Sequence, residues 1–168
     1  WQMIGSTARN HGIKIQSGYD GRFSVVDSTD AALSYLGTLQ GMFNDWQRAV
    51  MGYNAGEFRI LRAIKKSGNK SEGEDHWPHG LSHITYAYNA KIQALSCLIS
   101  QPENNNLSLP VSTEFTPLAA VLVGKNAGSL DSIAKRHRID GALLRKYNPA
   151  YKHGNIAAHT PRRILLPA

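Results

Sequence analysis

The stretch DSTDAALSYLGTLQGMFNDWQRAVMGYNAGEFRI, residues 27–60, decides the fold. Ala32, Leu36, Leu39 and Phe43 recur at intervals of three and four, the spacing that places side chains on one face of an α-helix. Asp27 or Ser28 suits the N-cap and Asp30 the first turn, so the pattern predicts a helix over about 28–43. After the Asn44-Asp45 turn, Trp46, Ala49, Val50 and Tyr53 form a second stripe that Gly56 terminates. A third helix is predicted from about 57 to 66.

The flanks extend this helical reading. WQMIGSTARNHGI (1–13) reads as a helix with a Ser/Thr-rich start. SGNKSEGEDHWPHG (67–80), rich in Gly, Ser and acids, reads as a surface loop. Ile84, Tyr88, Ile92, Leu95 and Ile99 then mark an amphipathic helix over 83–100, whose apolar side is assigned to the core. Cys97 on that helix reads as a small hydrophobe. In QPENNNLSLPVSTEFTP (101–117), prolines and an Asn run interrupt every periodicity, and 101–116 is assigned as a linker. Beyond it LAAVLVG reads as a strand, SLDSIAKRH and DGALLRKYN as short helices capped by Ser129 and Asp140, and RRILLP as a closing strand. The expected organisation is a mainly α domain over 1–100, the linker, and a small βααβ module over 117–168.

Composition narrows the function classes. The longest apolar runs fall short of the roughly 20 residues of a membrane-spanning helix. The single cysteine excludes an internal disulfide framework and any Cys-rich metal site. The net charge of +7 is unevenly spread: after residue 115 nine basic residues face only Asp131 and Asp140, whereas the two signs balance before it. Such a surface suits a polyanion. Lys135, Arg136, Arg138, Arg145, Lys146, Arg162 and Arg163 come with no helix-turn-helix, zinc-finger or RNA-recognition signature, so nucleic acid is not the expected partner. His76, His79 and His83 without cysteine are weak grounds for zinc, and a solvated aromatic loop is the simpler reading; no metal and no cofactor are expected.

The residues nevertheless resemble a known family. WQMIGSTARNHGI is similar to the Gly-Leu-Trp-Gln-Phe-Met-Pro-x-Thr-Ala-Arg segment of the SLT-type, goose-lysozyme-like lytic transglycosylases of bacterial peptidoglycan. Residues 27–60 resemble that family's Ser-Thr-x-Ala-Ala-x-Tyr-Leu helix and Ala-Tyr-Asn-Ala-Gly motif, and HWPHGLSHITYAYNAKIQAL (76–95) its Tyr-Trp-Asp-Leu…Leu-Pro-x-Glu-Thr-x-x-Tyr-Val segment, with Trp77, Leu81, Thr85 and Tyr88 in register. The likeness is nearest to the D type of the membrane-bound murein enzymes. SLDSIAKRHRIDGALLRKYNP (129–149) resembles the two helices of a LysM glycan-binding module, degenerate in its first strand, where VGKNAGSL replaces the usual features.

The resemblance implies a lysozyme-like helical fold and cleavage of peptidoglycan strands by a single glutamate that protonates the leaving oxygen and then draws the proton from the sugar's C6 hydroxyl. In relatives that glutamate lies in a Glu-Ser motif upstream of the segment matched by Trp1, so the catalytic residue is expected outside this chain and the fragment alone is expected to be inactive. By the same resemblance Gln2 would contact substrate amides, Tyr53 and Asn54 would line sugar subsites, and Tyr88 would support the glutamate. Ile84 departs from the family, which has a glutamate there.

The residues themselves leave blander readings open. Tyr53 and Tyr88 fit a packed stripe, Asn54 a helix end, and Gln2 an exposed amide. Glu57 suits a helix's first turn, and Asp20, Asp27 and Asp30 suit turns and caps. Glu72, Glu74 and Asp75 fall in the loop. A cell-envelope location is expected, with membrane association only through a segment outside this chain. The rival readings are a non-catalytic glycan-binding or inhibitor-like protein and a hydrolase in which water replaces the C6 hydroxyl. The helical domain is also expected to expose an apolar face where further helices of the family would cover it.

Overall fold

The computed structural model describes residues 1–67, 77–110 and 116–168. The expected loop residues Glu72, Glu74, Asp75 and His76, and part of the expected linker, lie outside these residues. Among the described residues the order is α1 (Gly5–Asn10), β1 (Ile15–Gln16), β2 (Tyr19–Asp20), α2 (Val25–Phe43), α3 (Trp46–Ala55), α4 (Glu57–Lys66), α5 (His83–Ser100), β3 (Leu118–Leu122), α6 (Leu130–His137), α7 (Gly141–Tyr147) and β4 (Arg163–Pro167). No helix among them is long and apolar enough to cross a membrane. By packing, the chain divides into two compact units, Trp1–Ser34 with Glu114–Ala168, and Tyr35–Thr113.

In the first unit β3 and β4 pair antiparallel, Ala120 opposite Leu165, and α6 and α7 cover them. The expected caps are in place: Ser129 accepts from Ser132 N at 3.1 Å and Asp140 from Ala142 N at 2.8 Å. Leu130, Ile133, Leu144 and Ile164 form the core. Asn148, 5 % exposed, binds the strand to the helix: Nδ2 donates to Leu144 O and Leu165 O, and Oδ1 accepts from Leu165 N. This buried amide satisfies main-chain groups that the short β-pair leaves open.

A residue from far upstream completes that core. Tyr19 of the β1–β2 hairpin is 2 % exposed, belongs to the same apolar cluster and meets the Tyr151 ring edge-on, centroids 5.0 Å apart. Main-chain bonds run with it, Asp20 N to Ala150 O and Lys152 N to Gly18 O, both 2.9 Å. The Tyr19 hydroxyl donates to Asp27 at 2.8 Å, and Arg163 pairs with the same carboxylate. Asp27 is therefore not the expected N-cap. The helix begins two residues earlier, and Ser24 Oγ accepts from Asp27 N at 3.2 Å, because the Asp27 side chain is engaged by partners the local pattern does not reveal.

In the second unit Tyr35, Leu39 and Phe43 of α2 pack with Ala49, Met51 and Ile60. Gly52 allows the close approach: a Cβ there would fall 3.0 Å from Phe43. Asp45 caps α3 by accepting from Arg48 N at 2.8 Å. Two expected buried faces are corrected. Trp46, placed on the α3 stripe, is exposed, while Ala49, Met51 and Gly52 are buried. On α5, Ile84, Ile92, Leu95 and Ile99 are exposed and the buried positions are Thr85 and Asn89. The apolar stripe is real, but it lies outside the core, and Ile92 lines a shallow groove of about 430 Å³ together with Trp46 and Val50. Cys97 is likewise exposed.

Tyr19→Ala should cost about 3–5 kcal/mol, the range for emptying a buried aromatic site, and should lower the melting temperature of the Trp1–Ser34 and Glu114–Ala168 unit; a melt within experimental error of wild type would contradict the packing. A second expectation concerns acid. Asp20 is nearly buried, and the hydrogen bonds from the Arg22 side chain hold its carboxyl below the ordinary carboxylate range. Its stabilisation is therefore complete above about pH 4 and is lost as pH falls through the depressed native value. Urea unfolding between pH 2 and 7 should show that dependence, and R22Q should flatten it.

Candidate functional site

Of the residues singled out by resemblance, Tyr53 and Asn54 lie at the end of α3 and Tyr88 on α5 of the same unit. Gly56 is the single residue between α3 and α4, at φ +90° and ψ 140°, a backbone that a side chain would strain. Its turn reverses the chain and carries Glu57 against α2, where the hydroxyl of buried Tyr35 donates to Glu57 Oε2 at 2.6 Å. Burial, reinforced by that hydrogen bond, raises the Tyr35 phenol well above its ordinary value. Glu57 occupies the first turn of α4, where a negative charge also suits the helix dipole.

Tyr53, half-buried, lies against Tyr35 with ring centroids 5.5 Å apart. Desolvation raises its phenol, and the neighbouring hydroxyl of Tyr88, itself half-buried on α5, adds to the effect. Tyr35 and Tyr53 thus stay neutral donors near neutral pH. Asn54, next in sequence, is exposed, and its Oδ1 accepts from the buried Thr85 hydroxyl at 3.0 Å. That bond ties α3 to α5 and leaves the Asn54 Nδ2 donors without a protein partner among the described residues. Asn54 is the last residue but one of α3, and its side chain bonds the facing helix. The site in this unit is thus a group of aromatic hydroxyls beside an oriented amide, which can stack on and hydrogen-bond to a polar ring-shaped ligand.

The approach to α5 is fixed by Trp77 and Leu81, which the motif resemblance includes, and by Tyr86, which sequence reasoning passes over. Trp77 stacks on Tyr86 at 5.6 Å, and the Tyr86 hydroxyl donates to Pro78 O at 2.6 Å while accepting from Leu81 N at 3.2 Å. A signal exists in one dimension: Tyr86 is the off-stripe aromatic two residues before Tyr88. Gln2 lies in the other unit, exposed, in the left-handed region at φ +51°, beside Trp1, whose Nε1 donates to Thr29 at 2.8 Å. Of the three histidines, His76 lies outside the described residues; His79 donates its main-chain N–H to Ser67 Oγ at 3.1 Å, and His83 opens α5. Among the described residues, no group of three or more His, Cys, Asp or Glu is gathered in metal-binding geometry.

Comparison with known proteins places these features. Residues 1–76 match the model of the transglycosylase SLT domain, and residues 118–168 that of the LysM-like domain of lytic transglycosylase MltD. The chain is 33% identical over 168 residues to the membrane-bound lytic murein transglycosylase D of Escherichia coli strain K12, covering 99% of this chain and 37% of that protein. The same figures hold for the protein of that name from Escherichia coli O6:H1 strain CFT073. The chain therefore spans a little over a third of the length of the relatives it matches. The SLT match extends through residues that pack in both units, so family boundary and packing boundary divide the chain differently.

Thr85→Val, which keeps shape and removes the hydroxyl, should cost about 1 kcal/mol by leaving the Asn54 carbonyl without its partner. The amide signals of Asn54 in an NMR spectrum should broaden or shift. An unchanged melt and unchanged Asn54 resonances would show that the bond does not orient the amide.

Proposed function

The chain belongs to the SLT-type lytic transglycosylases, and on that premise we propose that its parent protein cleaves the β-1,4 bond between N-acetylmuramic acid and N-acetylglucosamine in peptidoglycan, leaving 1,6-anhydromuramoyl ends. The observation that supports this reading is the exposed Asn54 amide, whose Oδ1 is held by the Thr85 hydroxyl, next in sequence to the half-buried Tyr53. Planar amides and half-buried tyrosines suit N-acetylated sugars, whose rings stack and whose acetamido groups accept hydrogen bonds.

Cleavage needs a proton for the departing glycosidic oxygen and a base for the C6 hydroxyl. One glutamate can do both in sequence: as acid it protonates the leaving oxygen, and as carboxylate it takes the C6 hydroxyl proton while that oxygen closes on C1. We assign this role to a glutamate outside these 168 residues. Of the described carboxylates, only Glu57 is near Tyr53 and Asn54, and it is engaged by Tyr35. In this chain Tyr88 would support the acid, Gln2, Tyr53 and Asn54 would hold the sugars, and residues 117–168 would act as a LysM-like module joined through 101–116 to the transglycosylase part, 1–100. Peptidoglycan in the bacterial cell envelope is the proposed partner, and any membrane attachment lies in another segment of the parent.

Digestion of murein followed by mass spectrometry tests this directly. The full-length parent should release anhydro ends, lighter by one water than reducing ends, and the 168-residue polypeptide alone should release none. Asn54→Ala in the parent should lower kcat/KM by up to about tenfold, the scale of one lost neutral hydrogen bond to the substrate. Release of reducing ends only would identify a hydrolase, and binding without cleavage by the parent would favour a glycan-binding protein.

A further inference from the structure

Beside the Asn54–Thr85 bond lies a second cleft, of about 360 Å³, with a different chemistry. One wall is α4, which presents Arg59, Arg62 and Lys66 at helical spacing along one side. The facing wall is His79 and the N-terminal turn of α5 at Ser82, and Thr85 lies on the floor. None of these cations takes part in an ion pair among the described residues, and no described acid lines the cleft. Arg62 Nε only turns back to Phe58 O of its own helix. An ordinary solvated helix face intersperses the two signs, because like charges three and four residues apart repel. On α4 the single acid, Glu57, is turned to Tyr35. Among the described residues, positive charge without a paired acid is therefore concentrated in a concave site lined also by Thr85, which bonds Asn54.

We propose that this cleft binds the carboxylates of the peptide carried by the muramoyl residue of the glycan. The inference rests on the peptidoglycan reading above and adds the substrate group that it leaves unplaced. A bare glycan of N-acetylated sugars offers no anion to the cleft, whereas a peptide branch attached to the glycan carries free carboxylates within reach of the same wall. Two guanidinium groups provide planar forks for such carboxylates, and the N-terminal turn of α5 contributes main-chain donors and a favourable dipole. Thr85 connects the two functions, since its hydroxyl holds Asn54 on one side while the residue floors the cationic cleft on the other.

The test compares full-length parent protein with its R59Q/K66Q and R62Q variants on two substrates, peptide-bearing murein and the same strands stripped of peptide by an amidase. The expected result is a fall in kcat/KM of about tenfold on the peptide-bearing strands, carried by KM, with no change on the stripped strands. Equal losses on both substrates, or none on either, would overturn the proposal. Failure of wild type to cleave either substrate would count against the enzymatic reading alone, and the site is then read separately. Titrated into the 168-residue chain, the free stem peptide should shift the Arg59 and Arg62 side-chain resonances, less so at high salt, and its fully amidated form should not. No shift with either peptide overturns the assignment. So does binding that appears only in an E72Q/E74Q/D75N variant, which would mean that the chain's own acids occupy the cleft.

Discussion

The Asp27 carboxylate is the point on which the packing of the first unit depends. It accepts from the Tyr19 hydroxyl and pairs with Arg163, so the start of α2, the β1–β2 hairpin and the closing strand β4 meet at one group. Each partner needs the others. Tyr19 is nearly inaccessible, and without Asp27 its buried hydroxyl would lose its charged acceptor, a loss of about 1–3 kcal/mol. Burial and the adjacent carboxylate both push the Tyr19 phenol far above its ordinary value, so it remains a donor throughout the range in which proteins fold. Asp27 also accepts a charged hydrogen bond from Arg163, which is stronger than a neutral one.

This arrangement has a physical motive in size. The module from Leu118 to Ala168 has two strands of five residues and two short helices, and chains that small bury too little apolar surface to be secure alone. Leu122 remains 81 % exposed and β3 contributes little to the core. Tyr19 supplies the missing bulk, with the main-chain bonds of Asp20 and Lys152 closing the seam. Gln16 and His159 extend it: Gln16 Nε2 donates to His159 O at 2.8 Å, and the His159 ring meets Ser17 O at 3.2 Å. The LysM-like module and the Trp1–Ser34 segment, including Gln2, consequently form one packed body, in contrast to a binding module swinging on a tether.

The same distinction between local and distant causes explains what the sequence reveals. Helices α4 and α5 have the expected boundaries, and Ser129 and Asp140 are the expected caps because capping is settled within three residues. Asp27 resembles a cap in sequence because its true partners lie 8 and 136 residues away, beyond any window that periodicity can sample. The α5 stripe misleads for a related reason. Apolar residues at helical spacing identify a face but not what covers it, and here the covered positions are the polar Thr85 and Asn89. At the site, Tyr53, Asn54 and Tyr88 are legible through motif resemblance. The bond that orients Asn54 is not, because a threonine hydroxyl leaves no pattern in one dimension.

Thr85 also accounts for the way two chemistries share one wall. A buried threonine on a helix ordinarily returns its hydroxyl to the carbonyl one turn back, which satisfies the oxygen locally and directs it nowhere. Here it donates instead to Asn54 Oδ1, which fixes which end of that amide meets α5. The same residue lines the cleft that Arg59, Arg62 and Lys66 also line. A serine would keep the hydrogen bond but lose the β-branch that restricts χ1, and a valine would keep the shape but lose the donor. Threonine alone of the three keeps both the donor to Asn54 and the restricted rotamer, so one side chain serves the bond and the cleft wall together.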